Sequence, residues 1–270
     1  MSDAPRQLVV LSWPRCGTTA LGDSLDRTEI VQDLREVFHP RQVKRKQNFF
    51  GWRAQLFGQT PEASLPHPEQ PLRLWSGFIE HLGSLSDGRP WQLVDIKVSA
   101  LHHLDGAFSR PGRKPELLVL LKKLNTPILR ITNDQPIRQH FSRLRMFHRQ
   151  REDMGPLHVD CQDMQNRLEH MHQIEQWLSA WLDDHPMYRT IPASQLIENN
   201  RPSPACMSCL QDLTGQNIPA IETDLRPGEE DAFPPLANRR ELQTSFAWTN
   251  WAQELETCLD QFRDADAVST

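Results

Sequence analysis

Leu8-Val9-Val10-Leu11-Ser12-Trp13-Pro14-Arg15-Cys16-Gly17-Thr18-Thr19-Ala20-Leu21 is the stretch on which the reading of this chain turns. Its apolar, partly β-branched start predicts a buried strand over Leu8–Trp13. Pro14–Thr19 reads as a loop. Leu21 and Leu25, four apart, then mark the apolar stripe of an amphipathic helix. A strand that feeds a helix through such a loop leaves the first helical N–H groups without intrahelical acceptors, and Gly17 permits a tight backbone path. Together they make a site for a phosphate or sulfate. Thr18 and Thr19 add hydroxyls, and Arg15 adds a permanent positive charge. The competing reading is an ordinary turn capped by threonine. The loop is not a Walker A motif, because Gly17 is followed by Thr18 and the loop contains no lysine. Nor is it the G-x-G-x-x-G of dinucleotide binders.

Working outward, further strands are predicted at Trp91–Lys97, Pro127–Thr132 and Tyr188–Ile191. Helices are predicted at Arg41–Phe57, Leu72–Leu85, Glu116–Leu124, Ile137–Arg151, Cys161–Asp183 and Ala247–Phe262. A proline-rich loop at 59–71 and a proline- and acid-rich loop at 217–236 separate some of them. Strands alternating with helices predict a three-layer α/β fold with a central, mainly parallel sheet flanked by helices. No linker interrupts the alternation, so residues 1–270 read as a single domain. In such sheets ligands bind beyond the C-terminal ends of the strands, which directs attention to the loops after Trp13, Lys97 and Thr132.

Composition narrows the function classes. Thirty basic against thirty-five acidic residues give a formal charge of −5, which argues against nucleic-acid binding through bulk charge. No apolar run approaches the ~20 residues of a membrane span, and MSDAPRQ lacks the features of a signal peptide, so a cytoplasmic protein is expected. Five cysteines, at 16, 161, 206, 209 and 258, do not suggest a disulfide framework. Cys206-Met-Ser-Cys209 has the spacing of half a zinc site, but no second ligand pair follows it. The plainer reading is half-buried thiols on a short helix, and no metal is expected. His158, Cys161, His170 and His172 form a second, looser group with the same plain reading.

The loop S-x-P-R-C-G-T-T-A-L resembles the phosphosulfate-binding loop of sulfotransferases that use 3′-phosphoadenosine 5′-phosphosulfate (PAPS), especially bacterial, carbohydrate- and trehalose-type members. Pro14, Arg15, Gly17, Thr18, Thr19 and Leu21 match that pattern, and Cys16 stands where serine is usual. Gln32–Phe38 is similar to the segment that carries the proposed catalytic glutamate, here Glu36. Val94-Asp95-Ile96-Lys97 resembles the strand whose terminal lysine faces the reaction centre. Asn250-Trp251 resembles the N-W segment near the last helix. The resemblance implies a P-loop-like sulfotransferase fold with PAPS as donor, PAP (the 3′,5′-bisphosphate) as product and a small-molecule hydroxyl acceptor. It implies donor contacts at Arg15, Cys16, Gly17, Thr18 and Thr19, with Glu36, Arg15 and Lys97 catalytic. Residues 41–90 match nothing in the family, and the resemblance leaves them as a helical or loop insertion on the acceptor side. Their aromatic residues fit an acceptor surface and core packing equally well.

The family's second nucleotide motif is a strand, an arginine and a helix bearing a serine, which together hold the 3′-phosphate. Ile128–Thr132 leads here into a helix on which Arg138, Ser142, Arg145 and Arg149 share a face, while Ile137, Phe141, Leu144 and His148 form the neighbouring stripe towards the core. The family's arginine belongs at Thr132 or Asn133, and neither is basic. Arg130 or Arg138 is the replacement. For the base, Glu36 competes with His39, His102 and His103, and Lys97 could instead be a solvated strand-end lysine. Two other readings share the pattern: a P-loop-like kinase or nucleotide hydrolase, and a degenerate, non-catalytic nucleotide-binding or interaction protein.

Overall fold

The computed structural model describes residues 5–58, 71–103, 116–148, 155–225, 235–260 and 262. In chain order its elements are β1 (Arg6–Ser12), α1 (Thr18–Asp26), β2 (Val31–Glu36), α2 (Phe49–Phe57), α3 (Pro71–Ser84), β3 (Trp91–Lys97), α4 (Glu116–Lys123), β4 (Ile128–Thr132), α5 (Pro136–His148), α6 (Cys161–Leu182), β5 (Tyr188–Pro192), β6 (Ile197–Glu198), β7 (Arg201–Pro202), α7 (Pro204–Thr214), α8 (Arg239–Phe246) and α9 (Ala252–Leu259). They fall into two compact units, residues 1–132 with 181–226, and residues 133–180 with 227–270.

The first unit is an α/β layer structure. Five parallel strands run in the order β2-β3-β1-β4-β5. All of β3 and most of β1 and β4 are buried. That continuous burial is what a parallel sheet covered on both faces requires. In β3 the odd-numbered residues face α1. Lys97 reaches Thr18 of that helix, and Asp33, which pairs with Leu93, lies against Gly22. The same face carries Arg189 of β5, which pairs with Asp212 of α7. The opposite face carries Gln7 and Gln92, whose side-chain amides donate to the Ile79 and Leu82 carbonyls of α3. Helix α3 packs on α4. The chain leaves β1 towards β2 on one side and returns to β4 on the other. The sheet order therefore reverses at β1, and the loop after Ser12 lies at this switch point.

The second unit is helical. Ile137 and Phe141 of α5, Met164 and Leu168 of α6, Leu242 and Phe246 of α8, and Leu255 and Leu259 of α9 share one apolar core. Leu144 packs against it and His148 is buried, in agreement with the stripe expected on α5.

The elements differ from expectation in three places. The helix expected from Arg41 begins only at Phe49, because Asn48 is in extended conformation and its side chain accepts from the Gly51 amide, setting the N-cap there. Residues 41–47 form turns, with Arg41 and Lys44–Lys46 exposed. The helix expected over Ala247–Phe262 is α9 alone, starting at Ala252, and α8, which the sequence did not indicate, precedes it. Thr249 separates them: its hydroxyl donates to the Phe246 carbonyl and accepts from the Trp251 amide, a local alternative to helical bonding. The third difference is β2, a strand with mixed polarity that periodicity did not indicate. The 59–71 loop lies outside the described residues, apart from Pro71.

Candidate functional site

The backbone alternates in hand through the β1–α1 loop. φ is +69° at Arg15 and +82° at Gly17, and Cys16 between them is not left-handed. This alternation turns successive N–H groups towards one concavity, the geometry of an anion-binding nest. Gly17 caps α1 without a side-chain hydrogen bond, and the first turn of α1 has no acidic residue. Among the described residues, no hydrogen bond occupies the amides of Gly17, Thr18 or Thr19. Arg15 and Thr19 are exposed, while the Cys16 side chain is buried.

Lys97 lies behind this loop, at the end of the neighbouring strand and opposite Ser12. It is 6% exposed, so the solvated strand-end reading does not hold. Its Nζ donates to Ser12 Oγ at 3.2 Å, Thr18 Oγ1 at 2.5 Å and both oxygens of Asp95 at 2.9 and 2.7 Å. Asp95 is equally buried. The first helical residue of the nest is thus tied by its hydroxyl to a buried lysine–aspartate pair. A sequence signal for Asp95 existed but carried no assigned role. Two charged residues alternate at the end of a mostly apolar strand, and a period of two sends both to one face.

Glu36 reaches the same face through an irregularity. Asp33 pairs with Leu93, but Glu36 pairs with Asp95, so three residues of β2 span two of β3. The bulge coincides with Arg35, whose φ is +62°. In an unbroken register Arg35 would oppose Asp95, and Glu36 would point to the α3 face. The extra residue turns Glu36 to the side of Asp95 and Lys97. Glu36 is half-buried. Burial pushes its carboxyl above the usual range, and Asp95 adds to this, while Lys97 and His39 oppose it. Asp33 is more deeply set. Its side chain is 2% exposed, and burial pushes its carboxyl up to about 6 against the pull of Arg35, with Asp95 and Asp26 adding to the rise.

No protein-family model matches the sequence, and no curated protein matches it. Among solved structures, a sulfotransferase from Alicyclobacillus acidocaldarius is similar, with 14% sequence identity, coverage of 98% of each chain and a TM-score of 0.47.

The remaining predicted residues fall in two places. Arg130 sits in β4 on the α3 side of the sheet, opposite to Lys97, with 1% exposure, and its Nη1 donates to the Tyr188 hydroxyl at 3.2 Å. Arg138, Ser142 and Arg145 lie on α5 of the helical unit. Arg138 is exposed and the other two are half-buried, while Arg149 lies outside the described residues. The N-terminus of α5 is occupied from within its unit: Glu254 Oε1 accepts from the Ile137 and Arg138 amides at 2.8 and 3.1 Å. His39 Nδ1 accepts from the Arg41 amide. The side chains of His102 and His103 are outside the described part. The aromatic residues of 41–90 mostly pack on one another: Phe49, Phe50, Trp75 and Phe78 are buried around Phe38. Cys206 is buried on α7, where burial pushes its thiol up to about 12, and Cys209 is half-buried. Among the described residues no group of three or more His, Cys, Asp or Glu is placed to hold a metal, and no helix is long and apolar enough to cross a membrane.

Proposed function

We propose that this chain is a PAPS-dependent sulfotransferase that moves a sulfuryl group to a hydroxyl of a small acceptor, such as a carbohydrate, a glycolipid or a secondary metabolite. The observation that carries the reading is the convergence at the C-terminal ends of neighbouring strands of an anion nest with available amides, a buried lysine tied into that nest, and a half-buried glutamate on the lysine's face. The order of the family-like segments along the chain supports it.

PAPS supplies the sulfuryl group and leaves as a bisphosphate. The amides of residues 17–19 and the Arg15 guanidinium bind the 5′-phosphosulfate end, where negative charge grows as the bond to the leaving group lengthens. Lys97 places its side-chain nitrogen beside that end. Asp95 fixes the ammonium in place, and the Thr18 hydroxyl couples it to the loop. Glu36 accepts the acceptor's hydroxyl proton, and its raised pKa makes it a stronger base than an ordinary glutamate. Arg138, Ser142 and Arg145 are assigned to the 3′-phosphate. Arg138 is preferred over Arg130 because it is exposed, whereas the Arg130 guanidinium is enclosed beside Tyr188. No step assigned to these residues requires a metal.

The test is a thermal-shift or calorimetric titration with PAP, 5′-AMP and ATP. Selective, tight binding of PAP is the expected result, because a ligand that binds the native state raises its stability. Transfer from PAPS to a hydroxyl acceptor then completes the case. Preference for ATP over PAP would favour the kinase-like reading, and equal binding of PAP and AMP would remove the 3′-phosphate site.

A further inference from the structure

We infer that Asp33, seated against Gly22 of α1, is a positioning residue that locks the β2 bulge and so turns Glu36 to the face of Lys97. The inference rests on the sulfotransferase reading only for the chemistry Glu36 performs; the bulge itself is independent of it.

The device can be followed atom by atom. Asp33 Oδ1 accepts the Arg35 amide at 2.8 Å, and Asp33 Oδ2 lies 3.0 Å from Arg35 Nε. One carboxylate therefore holds both the backbone and the side chain of the residue whose φ is +62°. Left-handed backbone is unfavourable for arginine, so it persists only where such contacts hold it. The strand is anchored on the other side as well: the Asp33 amide donates to Asp26 Oδ1 at the end of α1 at 2.9 Å. Arg35 Nη1 donates to the Thr19 carbonyl at 3.5 Å, which brings the clamp to the first turn of the anion loop's own helix. Gly22 is what admits the carboxylate to this position. A Cβ there would lie 2.2 Å from Asp33 Oδ2. Gly22 has no left-handed φ to explain its glycine; its role is space.

The direct readout is the titration of Glu36, followed by its side-chain carboxyl NMR signal in the full-length protein. In the wild type it is expected to titrate above the ordinary glutamate range, because the carboxyl is half-buried. Asp33→Ala and Gly22→Ala are expected to move it away from its wild-type value, because Glu36 then leaves the face that carries Lys97 and Asp95. Asp33→Asn, which keeps the acceptor for the Arg35 amide, is expected to restore most of the wild-type value. Arg35→Gly is a second control, because glycine adopts positive φ freely: it keeps the bulge and the raised Glu36 titration even without the guanidinium. Turnover in Asp33→Ala is expected to fall about 100-fold, with PAP affinity within about twofold of wild type. A Glu36 titration unchanged in both Asp33→Ala and Gly22→Ala overturns the inference. A shifted titration with unchanged turnover upholds the bulge lock and removes Glu36 from the chemistry instead.

Discussion

The N-termini of α1 and α5 answer the same electrostatic demand in different ways. Each helix begins with amides that lack intrahelical acceptors and with the positive end of its dipole. At α5 the carboxylate of Glu254, from α9, takes two of those amides. At α1 the cap is Gly17, the first turn has no acidic residue, and the loop before it alternates in backbone hand. The helical unit thus carries its own anion as a structural part. The sheet unit leaves the equivalent amides without a carboxylate of its own, and Lys97 lies behind them. A helix start satisfied by a carboxylate of its own is a fold device, whereas one left unsatisfied above a buried cation is a candidate site.

This contrast breaks most sharply at the base. Glu36→Ala is expected to lower kcat by about 10²–10⁴-fold while leaving the PAP dissociation constant within about twofold, as measured by steady-state kinetics and calorimetry. Loss of both together would make Glu36 part of the anion site rather than the proton acceptor. Removing the cation comes next. Lys97→Met leaves Asp95 charged and buried, which is expected to cost about 3–5 kcal/mol in urea unfolding. Lys97→Met with Asp95→Leu is expected to recover much of that stability but no turnover. That split separates the structural from the chemical share of the pair.

The buried carboxyl of Asp33 offers a smaller effect with a definite sign. Its folded pKa of about 6 lies above the value for an unfolded chain, so the folded state holds this proton more tightly. The associated stability is complete below about pH 4 and is lost as pH rises through about 6. Arg35 acts against the shift, and Asp95 and Asp26 add to it. Relative to Asp33→Asn, the wild type is expected to lose up to about 3 kcal/mol of stability between pH 4 and pH 7, measured by denaturant unfolding across that range. The smallest effect belongs to α5. Glu254→Ala is expected to cost about 1 kcal/mol, the usual scale for losing a helix cap, in the same unfolding assay. Inorganic phosphate should offset part of that loss if the α5 amides then accept an external anion, and its failure to do so would mark the α5 start as closed by its surroundings.

The parts of this molecule that could be read from the chain were those governed by neighbours in sequence. Leu8–Leu11 declared a buried strand through its apolar, β-branched run, and Gly17-Thr18-Thr19 declared the turn into the helix that follows. The stripe of Ile137, Phe141 and Leu144 gave the buried face of α5 through its helical spacing. β2 is not legible in the chain because Val31-Gln32-Asp33-Leu34-Arg35-Glu36 mixes polar and apolar residues, as the outer strand of the sheet among the described residues. Its polar residues have partners on other elements: Gln32 bonds Gln92 of β3, and Asp33 lies against Gly22 of α1.

By itself, the sequence determined the alternation of strands and helices, and hence a parallel sheet with helices on both faces, together with the chemistry on offer at the β1–α1 loop. Those properties follow from residue spacing and backbone preference, which act over a few positions. Only the tertiary structure decided which face Glu36 occupies, that Lys97 is buried against Asp95 rather than solvated, that Arg130 lies inside the sheet layer, and that Glu254 closes the start of α5. Each of these depends on strand register or on a partner many residues away. A one-residue shift in pairing reverses the face of every side chain beyond it, and no local pattern in the chain records that shift.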